Sequence, residues 1–573
     1  MARMRKFMSV EAILPAGLLV LVSLVFAWSW CFGLQNNPFE RLELPIIYSK
    51  GDGITVVAAI KAMMQGDWWP FTGIYFARLA APYGLNYSDF PSSDGVFHLM
   101  FWIVSRFTSD PFTGMDAVFL LSFPLNALAM FWFLKRNSIQ TPVSFFFSLL
   151  YTLLPFHFLR YNHLFYAIYF YVPFGCQYLI ELSRRLQDDK GAVFRWTDVA
   201  FAGFFAACGI YQSYFLIVQI GLIFIAYVSL DKRGGSRAFN ICAYVILFLV
   251  GATILALAPT WLLWWQHGRN NGIAIRYPQE TETYALKIVN LFMPTRDSFF
   301  NVLAYFRSRY RSGTAVVEGF DESFGLFGFV GLTALILSFL RGSYQKKSLQ
   351  YFLGFVVIAL IFYTTIGGYG AIFAHLGWTF NRSIDRISIW IVCFTYLFMG
   401  LVVQRLFDQR KNTLVPWVLG FIGLFAIFEI APNQPRFEHS GDAAGYYSDK
   451  DFFKSFESKL PPGATVLTLP FVTFPEGPAV NMMGPYDHLV AMVFTEKLKF
   501  SYGAALGRQE ADRIHSLSEG SLKLEAIQAM GYSAIYIDAA AYPGGKVDLG
   551  NLSNHPFREV FWSHDHRRLA LIL

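Results

Sequence analysis

The chain has 573 residues, of which 55% are hydrophobic, 18% are aromatic and only 15% are charged. Few soluble globular proteins have this composition, so it indicates an integral membrane protein. The formal net charge is +7, and the sequence has no G-x-x-x-x-G-K-[ST] phosphate loop, no H-E-x-x-H motif, no dinucleotide-binding fingerprint and no basic domain suited to nucleic acid.

Long apolar stretches predict membrane-spanning helices, because about twenty helical residues cross a hydrocarbon core of about 30 Å. We predict a polytopic α-helical membrane protein with about eleven spans. All five cysteines fall inside these spans, so we expect no disulfide. In chain order the predicted spans lie near 12–33, 112–134, 141–159, 164–183, 197–212, 213–230, 239–265, 323–340, 349–367, 386–404 and 413–431.

Basic residues beside the spans predict the orientation in the membrane. Arg3, Arg5 and Lys6 precede the first span, which places the N-terminus in the cytoplasm by the positive-inside rule. Later basic pairs, such as Lys135-Arg136 and Arg184-Arg185, fall in alternate short loops and agree with this orientation. An odd number of spans then places the C-terminus outside the cytoplasm, in a protein of the inner or plasma membrane.

Long segments between and after the spans are where function is expected. We predict a transmembrane module at 1–431, with outer-face loops at 34–111 and 266–322, and a soluble extracytoplasmic α/β domain at 432–573. The first loop contains an amphipathic run at 54–65 and a short apolar run at 97–107, and both are typical of helices that lie in the membrane interface. In the C-terminal domain we predict strands at 465–469, 533–537, 559–562 and 568–572.

A single carboxylate stands between two glycines, Gly51-Asp52-Gly53, shortly after the first predicted span. Its place on the predicted outer face, just before the amphipathic run, makes Asp52 a candidate catalytic residue. The same three residues are also typical of a turn in which Asp52 is the N-cap of a helix that begins at Ile54. Both interpretations remain open at this point.

Ionisable side chains at the ends of spans are further candidates, because charge at membrane depth costs at least ~2.5 kcal/mol on insertion scales. Each has a structural alternative, such as a turn, a solvated loop or an arginine that extends to lipid headgroups. The substrate-binding candidates are Arg160, His163, Arg382, Arg386, Asp89, Glu280 and Glu282.

Transfer of a sugar from a polyprenyl-phosphate carrier requires this mixture of acid and base. A carboxylate removes the proton of the acceptor hydroxyl, while arginines or a metal ion stabilise the departing phosphate. Arginine suits the second role because its planar guanidinium can donate two parallel hydrogen bonds to two phosphate oxygens. We therefore assign Asp52 as the general base, and Arg160, Arg382 and Arg386 as phosphate-binding candidates.

The arrangement resembles the GT-C superfamily of integral-membrane glycosyltransferases over about residues 1–431. The shared features are a first span, a first loop with an early aspartate, two interfacial helices, many further spans and a C-terminal soluble domain. The resemblance implies an inverting transferase of cell-envelope polysaccharide biosynthesis, with Asp52 as the catalytic aspartate. It also implies a polyprenyl-phosphate sugar as donor and a glycan, lipid or protein as acceptor.

Many members of that superfamily carry paired acidic residues, whereas Asp52 has glycine on both sides. The requirement for a divalent metal is therefore left open. Two other classes of function also remain: a transporter or flippase of a lipid-linked saccharide, and a noncatalytic assembly subunit. Charges near the span ends and the lack of an internal repeat favour the enzyme over the transporter.

Overall fold

The computed structural model confirms a mainly α-helical membrane protein. The basic residues Arg3, Arg5 and Lys6 and the predicted domain boundary at 431/432 lie outside the residues that the structure describes. The described residues are 10–32, 45–48, 51–188, 192–230, 235–294, 301–313, 322–345, 348–379, 382–409, 414–430, 440–518, 524–547 and 555–573.

Helices make up most of the described chain, and the strands fall in two groups, at 68–86 and 465–572. In chain order the helices are α1 (Val10–Phe32), α2 (Asp52–Met64), α3 (Gly95–Val104), α4 (Pro111–Arg136), α5 (Thr141–Thr152), α6 (Pro155–Leu159), α7 (Leu164–Ala167), α8 (Tyr171–Gln187), α9 (Trp196–Cys208), α10 (Ile210–Leu230), α11 (Gly235–Ala256), α12 (Ala258–His267), α13 (Glu280–Thr283), α14 (Asn301–Ser312), α15 (Gly325–Leu340), α16 (Leu349–Thr364), α17 (Tyr369–His375), α18 (Ser388–Gln409), α19 (Leu414–Ile430), α20 (Ser440–Ser458), α21 (Leu489–Phe494), α22 (Gln509–Ser516) and α23 (Leu524–Ala529). The strands are β1 (Trp68–Trp69), β2 (Gly73–Phe76), β3 (Leu85–Asn86), β4 (Thr465–Leu469), β5 (Lys499–Phe500), β6 (Tyr532–Asp538), β7 (Glu559–Trp562) and β8 (Arg568–Ile572).

Each of the eleven predicted spans overlaps helical structure in the described part of the chain. Three shorter apolar helices, α9, α15 and α16, correspond to predicted spans, as does α19, whose apolar part is Gly420–Ile430. The stretches long and apolar enough to cross a membrane are Ile13–Phe32, Pro111–Arg136, Thr141–Leu159, Ile210–Ser229, Gly235–Ala256 and Ile384–Leu406.

Helix breaks next to a proline divide three of the predicted spans, and the first of them lies between α5 and α6, where Pro155 begins α6. The span predicted at 164–183 consists of α7 and α8, and Pro173 lies in the first turn of α8. The span predicted at 239–265 is divided between α11 and α12, and Pro259 lies in the first turn of α12. A proline cannot donate a backbone hydrogen bond, and its ring clashes with the carbonyl four residues earlier, so a helix often ends before a proline. Helix α4, by contrast, continues through Pro124.

Two compact units make up the chain, unit 1 and unit 2. Unit 1 comprises Met1–Leu34, Phe119–Leu255 and Arg276–Gln434, and unit 2 comprises Gln35–Val118, Ala256–Ile275 and Pro435–Leu573. The C-terminal region therefore shares its unit with the first loop and with α12, although these segments are far apart in the sequence.

Unit 1 is built around α18, which packs against α5, α8, α15 and α16. Its Trp390 side chain is fully buried. The indole ring lies so close to α8 that a Cβ atom at Gly175 would collide with it. Small residues allow this close approach of helices, which is a common source of packing energy inside membranes.

Unit 2 combines two sheets with surrounding helices. In the first loop, β1, β2 and β3 form an antiparallel sheet. In the C-terminal region the strand order is β5-β4-β6-β8-β7, with β4 parallel to β5 and β6, and β8 antiparallel to β6 and β7. The four strands predicted there are confirmed. Helix α2 packs against α3, β2 and α21, so the interior of unit 2 includes residues of the first loop.

A buried charge network lies in the interior of unit 2. The guanidinium of Arg568 donates to Asp449 Oδ1 at 2.7 Å, to Tyr536 Oη at 2.9 Å and to Asp538. The hydroxyl of Tyr48 donates to the second Asp449 oxygen at 2.6 Å. Arg568, Asp449 and Asp538 are all fully buried. The network joins the first loop, α20, β6 and β8.

We expect Arg568→Met to destabilise the protein by about 3–5 kcal/mol, because it leaves two buried carboxylates without their cation. Thermal unfolding of the detergent-solubilised full-length protein measures the loss. Arg567→Met is the matched control, since Arg567 also contacts Asp538 but is partly exposed, and we expect a clearly smaller loss. Equal unfolding temperatures for the two variants would contradict a central role for Arg568.

Candidate functional site

Asp52 is the first residue of α2, and its side chain is exposed. The helix begins two residues earlier than predicted, so Gly51, and not Asp52, occupies the N-cap position. A carboxylate in the first turn is stabilised by the positive end of the helix dipole. The N-cap interpretation of Asp52 is therefore wrong, and the residue presents a carboxylate at the start of a helix that is otherwise mostly buried.

Three carboxylates, Asp52, Asp94 and Glu476, act electrostatically on the hydroxyl of Tyr87. Burial raises the pKa of Tyr87, and the nearby Tyr486, Asp94, Glu476 and Asp52 raise it further. We call these five residues the Tyr87 group. Asp52 therefore shares an electrostatic effect on Tyr87 with two other carboxylates, although no acidic residue is adjacent to it in the sequence.

Asp94 is the best-defined acid of the Tyr87 group. It lies at the N-cap position of α3, where it is partly buried, and burial raises its pKa to about 7. One turn later, burial lowers the pKa of His98 to about 4. Near neutral pH Asp94 can therefore both accept and donate a proton, while His98 is neutral.

Asp89 is held in place by its neighbours. Its oxygens accept hydrogen bonds from Trp264 Nε1 at 3.1 Å and Asn270 Nδ2 at 2.8 Å, and from Arg508 Nε and Nη2 at 2.8 and 2.7 Å. Burial by itself raises the pKa of Asp89, but the bonds from Arg508 and Asn270 outweigh burial and lower it. These four bonds use most of the acceptor capacity of a carboxylate. They hold the turn that contains Tyr87.

In unit 1, Arg160 lies between two carboxylates. Its Nη2 atom is 3.6 Å from Asp385 Oδ2 and 4.0 Å from Glu322 Oε1, and all three side chains are buried. Arg160 follows α6, Glu322 precedes α15 and Asp385 precedes α18. We call these three residues the Arg160 cluster. Its ion pairs connect the ends of three membrane helices.

The other candidates of unit 1 are also engaged. Arg382 Nη1 donates to Glu280 Oε1 at 2.8 Å, and its guanidinium lies 5.2 Å from the ring centroid of Tyr284. Glu282 Oε2 accepts from the backbone N–H of Gly367 at 2.9 Å. Two of the predicted candidates, Arg382 and Glu280, thus form an ion pair that the sequence did not predict, and this pair links the second loop to the chain before α18.

Arg386 and His163 complete the predicted set in unit 1. The guanidinium of Arg386 lies 4.0 Å from the ring centroid of Tyr166, a cation–π distance. His163 ends a 3-10 turn, is partly buried and directly precedes α7, which contains Tyr166. Asp52 and Asp89 belong to unit 2. The substrate-binding roles of all seven residues stay predictions.

Arg386 Nε and Lys287 Nζ are among the buried donors of unit 1 for which the described residues supply no hydrogen-bond partner. Lys287 is only 8% exposed, and burial lowers its pKa while the charge of Glu322 raises it. An unsatisfied buried donor typically costs about 1–3 kcal/mol. The sequence offered no signal for Lys287, because a single lysine in a charged loop resembles a solvated residue.

No group of three or more His, Cys, Asp and Glu side chains in the described ranges is arranged to hold a metal ion. In the Arg160 cluster, a guanidinium already faces the two carboxylates. The carboxylates of Glu322 and Asp385 are therefore already paired with an arginine, which suits them better than a metal ion would. We derive no step through a metal ion.

We expect Arg160→Met to destabilise the protein by about 3–5 kcal/mol, because Glu322 and Asp385 then stay buried without the cation between them. Adding Glu322→Gln and Asp385→Asn removes both charges and should recover most of this loss. Thermal unfolding and the monodisperse yield after purification measure both effects. A triple variant no more stable than Arg160→Met would show that charge balance is not what Arg160 provides.

The raised pKa of Asp94 predicts a pH-dependent loss of stability. A carboxyl whose pKa is higher in the folded protein binds a proton more tightly there, so stability falls as the pH rises from about 4 to about 7. Asp94→Asn removes this titration, so the wild type should lose stability relative to the variant over that range. Unfolding temperatures of both proteins at pH about 4.5 and about 7.5 test this. A constant difference would contradict the titration.

No protein-family model and no curated protein sequence matches the chain. Solved structures match its fold. ArnT from Cupriavidus metallidurans, in the apo state, has 13% sequence identity and a TM-score of 0.50, and the match covers 97% of this chain and 97% of that chain. The same protein bound to undecaprenyl phosphate has 10% identity and a TM-score of 0.50, with the same coverage.

The oligosaccharyltransferase of Archaeoglobus fulgidus, in the apo form, matches 95% of this chain and 73% of its own, with 12% identity and a TM-score of 0.47. The likeness to ArnT concerns the fold and extends along nearly the whole of both chains. This chain therefore has the fold of ArnT, in agreement with the membrane-enzyme fold expected from the sequence.

Proposed function

We propose that the protein is a membrane glycosyltransferase that transfers a sugar from a polyprenyl-phosphate donor to a hydroxyl of a glycan, lipid or protein acceptor on the extracytoplasmic face. The fold shared with ArnT carries this proposal, because it extends over 97% of both chains. The ArnT structure with undecaprenyl phosphate supports a polyprenyl phosphate as the carrier here. Fold alone does not define a reaction, so the residues below carry the chemistry.

Asp52 is the proposed general base. The acceptor hydroxyl gives its proton to the Asp52 carboxylate while its oxygen attacks the anomeric carbon of the sugar. The bond from that carbon to the phosphate oxygen breaks, and the electron pair leaves with the polyprenyl phosphate. A single displacement of this kind inverts the anomeric configuration. The exposed position of Asp52 at the start of α2 supports this role.

Asp94 is proposed to orient the acceptor. With a pKa of about 7, its carboxyl group can donate a hydrogen bond to one acceptor hydroxyl or accept one from another. Its influence on Tyr87 is shared with Asp52, which supports a common environment for the two side chains. Holding the acceptor oxygen in one orientation lowers the entropic barrier to attack.

Arginines of unit 1 are proposed to stabilise the leaving phosphate. Arg386 Nε and Lys287 Nζ are buried donors without a partner in the described part of the chain, and a phosphate oxygen would satisfy them. Arg160 and Arg382 are held by carboxylates, so their guanidinium groups are already oriented. Oriented cations that need no rearrangement are the most effective at stabilising developing negative charge.

We expect Asp52→Asn to lower the transfer rate by about 10²–10⁴, which is the usual contribution of a general base. The assay uses purified protein in proteoliposomes with a panel of undecaprenyl-phosphate sugars, and it follows release of undecaprenyl phosphate by mass spectrometry. Asp512→Asn is the matched control, because it neutralises an exposed carboxylate of the same unit, and we expect normal turnover.

Near-normal release by a folded Asp52→Asn variant would remove Asp52 from the mechanism. Movement of the lipid-linked sugar across the bilayer by the wild type, with no release of undecaprenyl phosphate, would replace the transferase by a flippase.

A further inference from the structure

Helix α14, in the second loop, has an unusual composition for an exposed helix. Its sequence, Asn-Val-Leu-Ala-Tyr-Phe-Arg-Ser-Arg-Tyr-Arg-Ser, contains three arginines and no acidic residue. Three large apolar side chains are exposed: Val302 by 79%, Tyr305 by 67% and Phe306 by 51%. The spacing i, i+3, i+4 places them on one side of the helix, and Arg309, at i+7, is exposed on the same side.

Another side of α14 holds the helix in unit 1. Arg307 is buried, and its Nη1 atom donates to the carbonyl oxygen of Pro294 at 2.6 Å. The ring of Tyr310, one turn later, lies 5.8 Å from the ammonium nitrogen of Lys287. Because Arg307 and Tyr310 face the protein, the side with Val302, Tyr305 and Phe306 is not the side that anchors the helix.

The anchor of α14 lies close to the start of a membrane helix. Pro294 is three residues after Leu291, whose carbonyl oxygen accepts from the backbone N–H of Phe324 at 2.7 Å. Phe324 directly precedes α15, one of the apolar helices assigned to a predicted span. The bilayer surface is therefore the apolar environment available to this part of unit 1.

We propose that α14 is a membrane-binding helix whose Val302, Tyr305 and Phe306 side chains enter the boundary between headgroups and acyl chains, while Arg309 binds the phosphate of an anionic lipid. Aromatic and aliphatic residues on one side, with arginine and without acidic residues, are the composition that interfacial helices use. Arginine at this depth keeps its guanidinium among the headgroups while its stem covers apolar surface.

Lipid contact at α14 would be connected to the charged residues of unit 1 through Tyr310. Tyr310 contacts Lys287, and Lys287 is in turn influenced by Glu322 of the Arg160 cluster. A membrane-bound α14 would hold Tyr310, and through it Lys287, in one place. This inference stands independently of the proposed transferase activity, because its test measures depth in the membrane and not turnover.

Site-directed spin labelling tests the proposal in the full-length protein in nanodiscs. Val302→Cys, Phe306→Cys and Ser308→Cys each receive a nitroxide label; Ser308 is exposed on a different side of α14 and is the matched control. The five native cysteines are free and buried, so labelling favours the introduced thiol. Collision rates with oxygen, which concentrates in lipid, are compared with those of a water-soluble nickel chelate.

We expect oxygen collisions to exceed nickel collisions at positions 302 and 306, and the reverse at 308. If all three labels collide mainly with nickel, α14 is surrounded by water and the proposal fails. For the arginine, we expect the 306 label to lie deeper in discs with phosphatidylglycerol than in discs of phosphatidylcholine alone, and Arg309→Gln to abolish that difference. Equal depth in both kinds of disc would overturn the role of Arg309.

Discussion

Charge that is removed from water must be balanced by charge of the opposite sign, and this constraint organises the interiors of both units. In unit 2, Arg568 is surrounded by Asp449 and Asp538, which come from a helix and a strand far apart in the sequence. In unit 1, Arg160 lies between carboxylates that precede two different membrane helices. Each of these arginines fixes the mutual positions of several chain segments, because moving one segment away would leave a buried charge alone.

The same constraint separates residues that build the protein from residues available for chemistry. Asp89 is saturated by Arg508, Trp264 and Asn270, so its main effect is to hold the turn of Tyr87. By contrast, Lys287 and Arg386 have buried donors that nothing in the described ranges satisfies. Both donors are cationic, and the proposed function assigns them to the phosphate of the donor lipid.

The membrane imposes a second requirement, which is that every backbone group in the hydrocarbon must be bonded within the protein. Helices satisfy it, and the proline breaks in the predicted spans occur at Pro155, Pro173 and Pro259. Apolar and aromatic side chains are exposed on α12 and α14, at Trp265 and Phe306 for example. In a soluble protein such exposure would promote aggregation, whereas beside a bilayer it is favourable.

The sequence by itself determined the membrane class, the approximate places of the apolar helices, the strands of the C-terminal region and the start of a helix near Asp52. These features depend on the length and period of local apolar patterns, which a single sequence contains. Only the tertiary structure decided that Asp52, Asp94 and Glu476 all act on the pKa of Tyr87, that Arg382 pairs with Glu280, and that Lys287 is buried. Such pairings bring together residues that are far apart in the chain, and their free energy comes from burial and charge balance in the folded state, which no local pattern encodes.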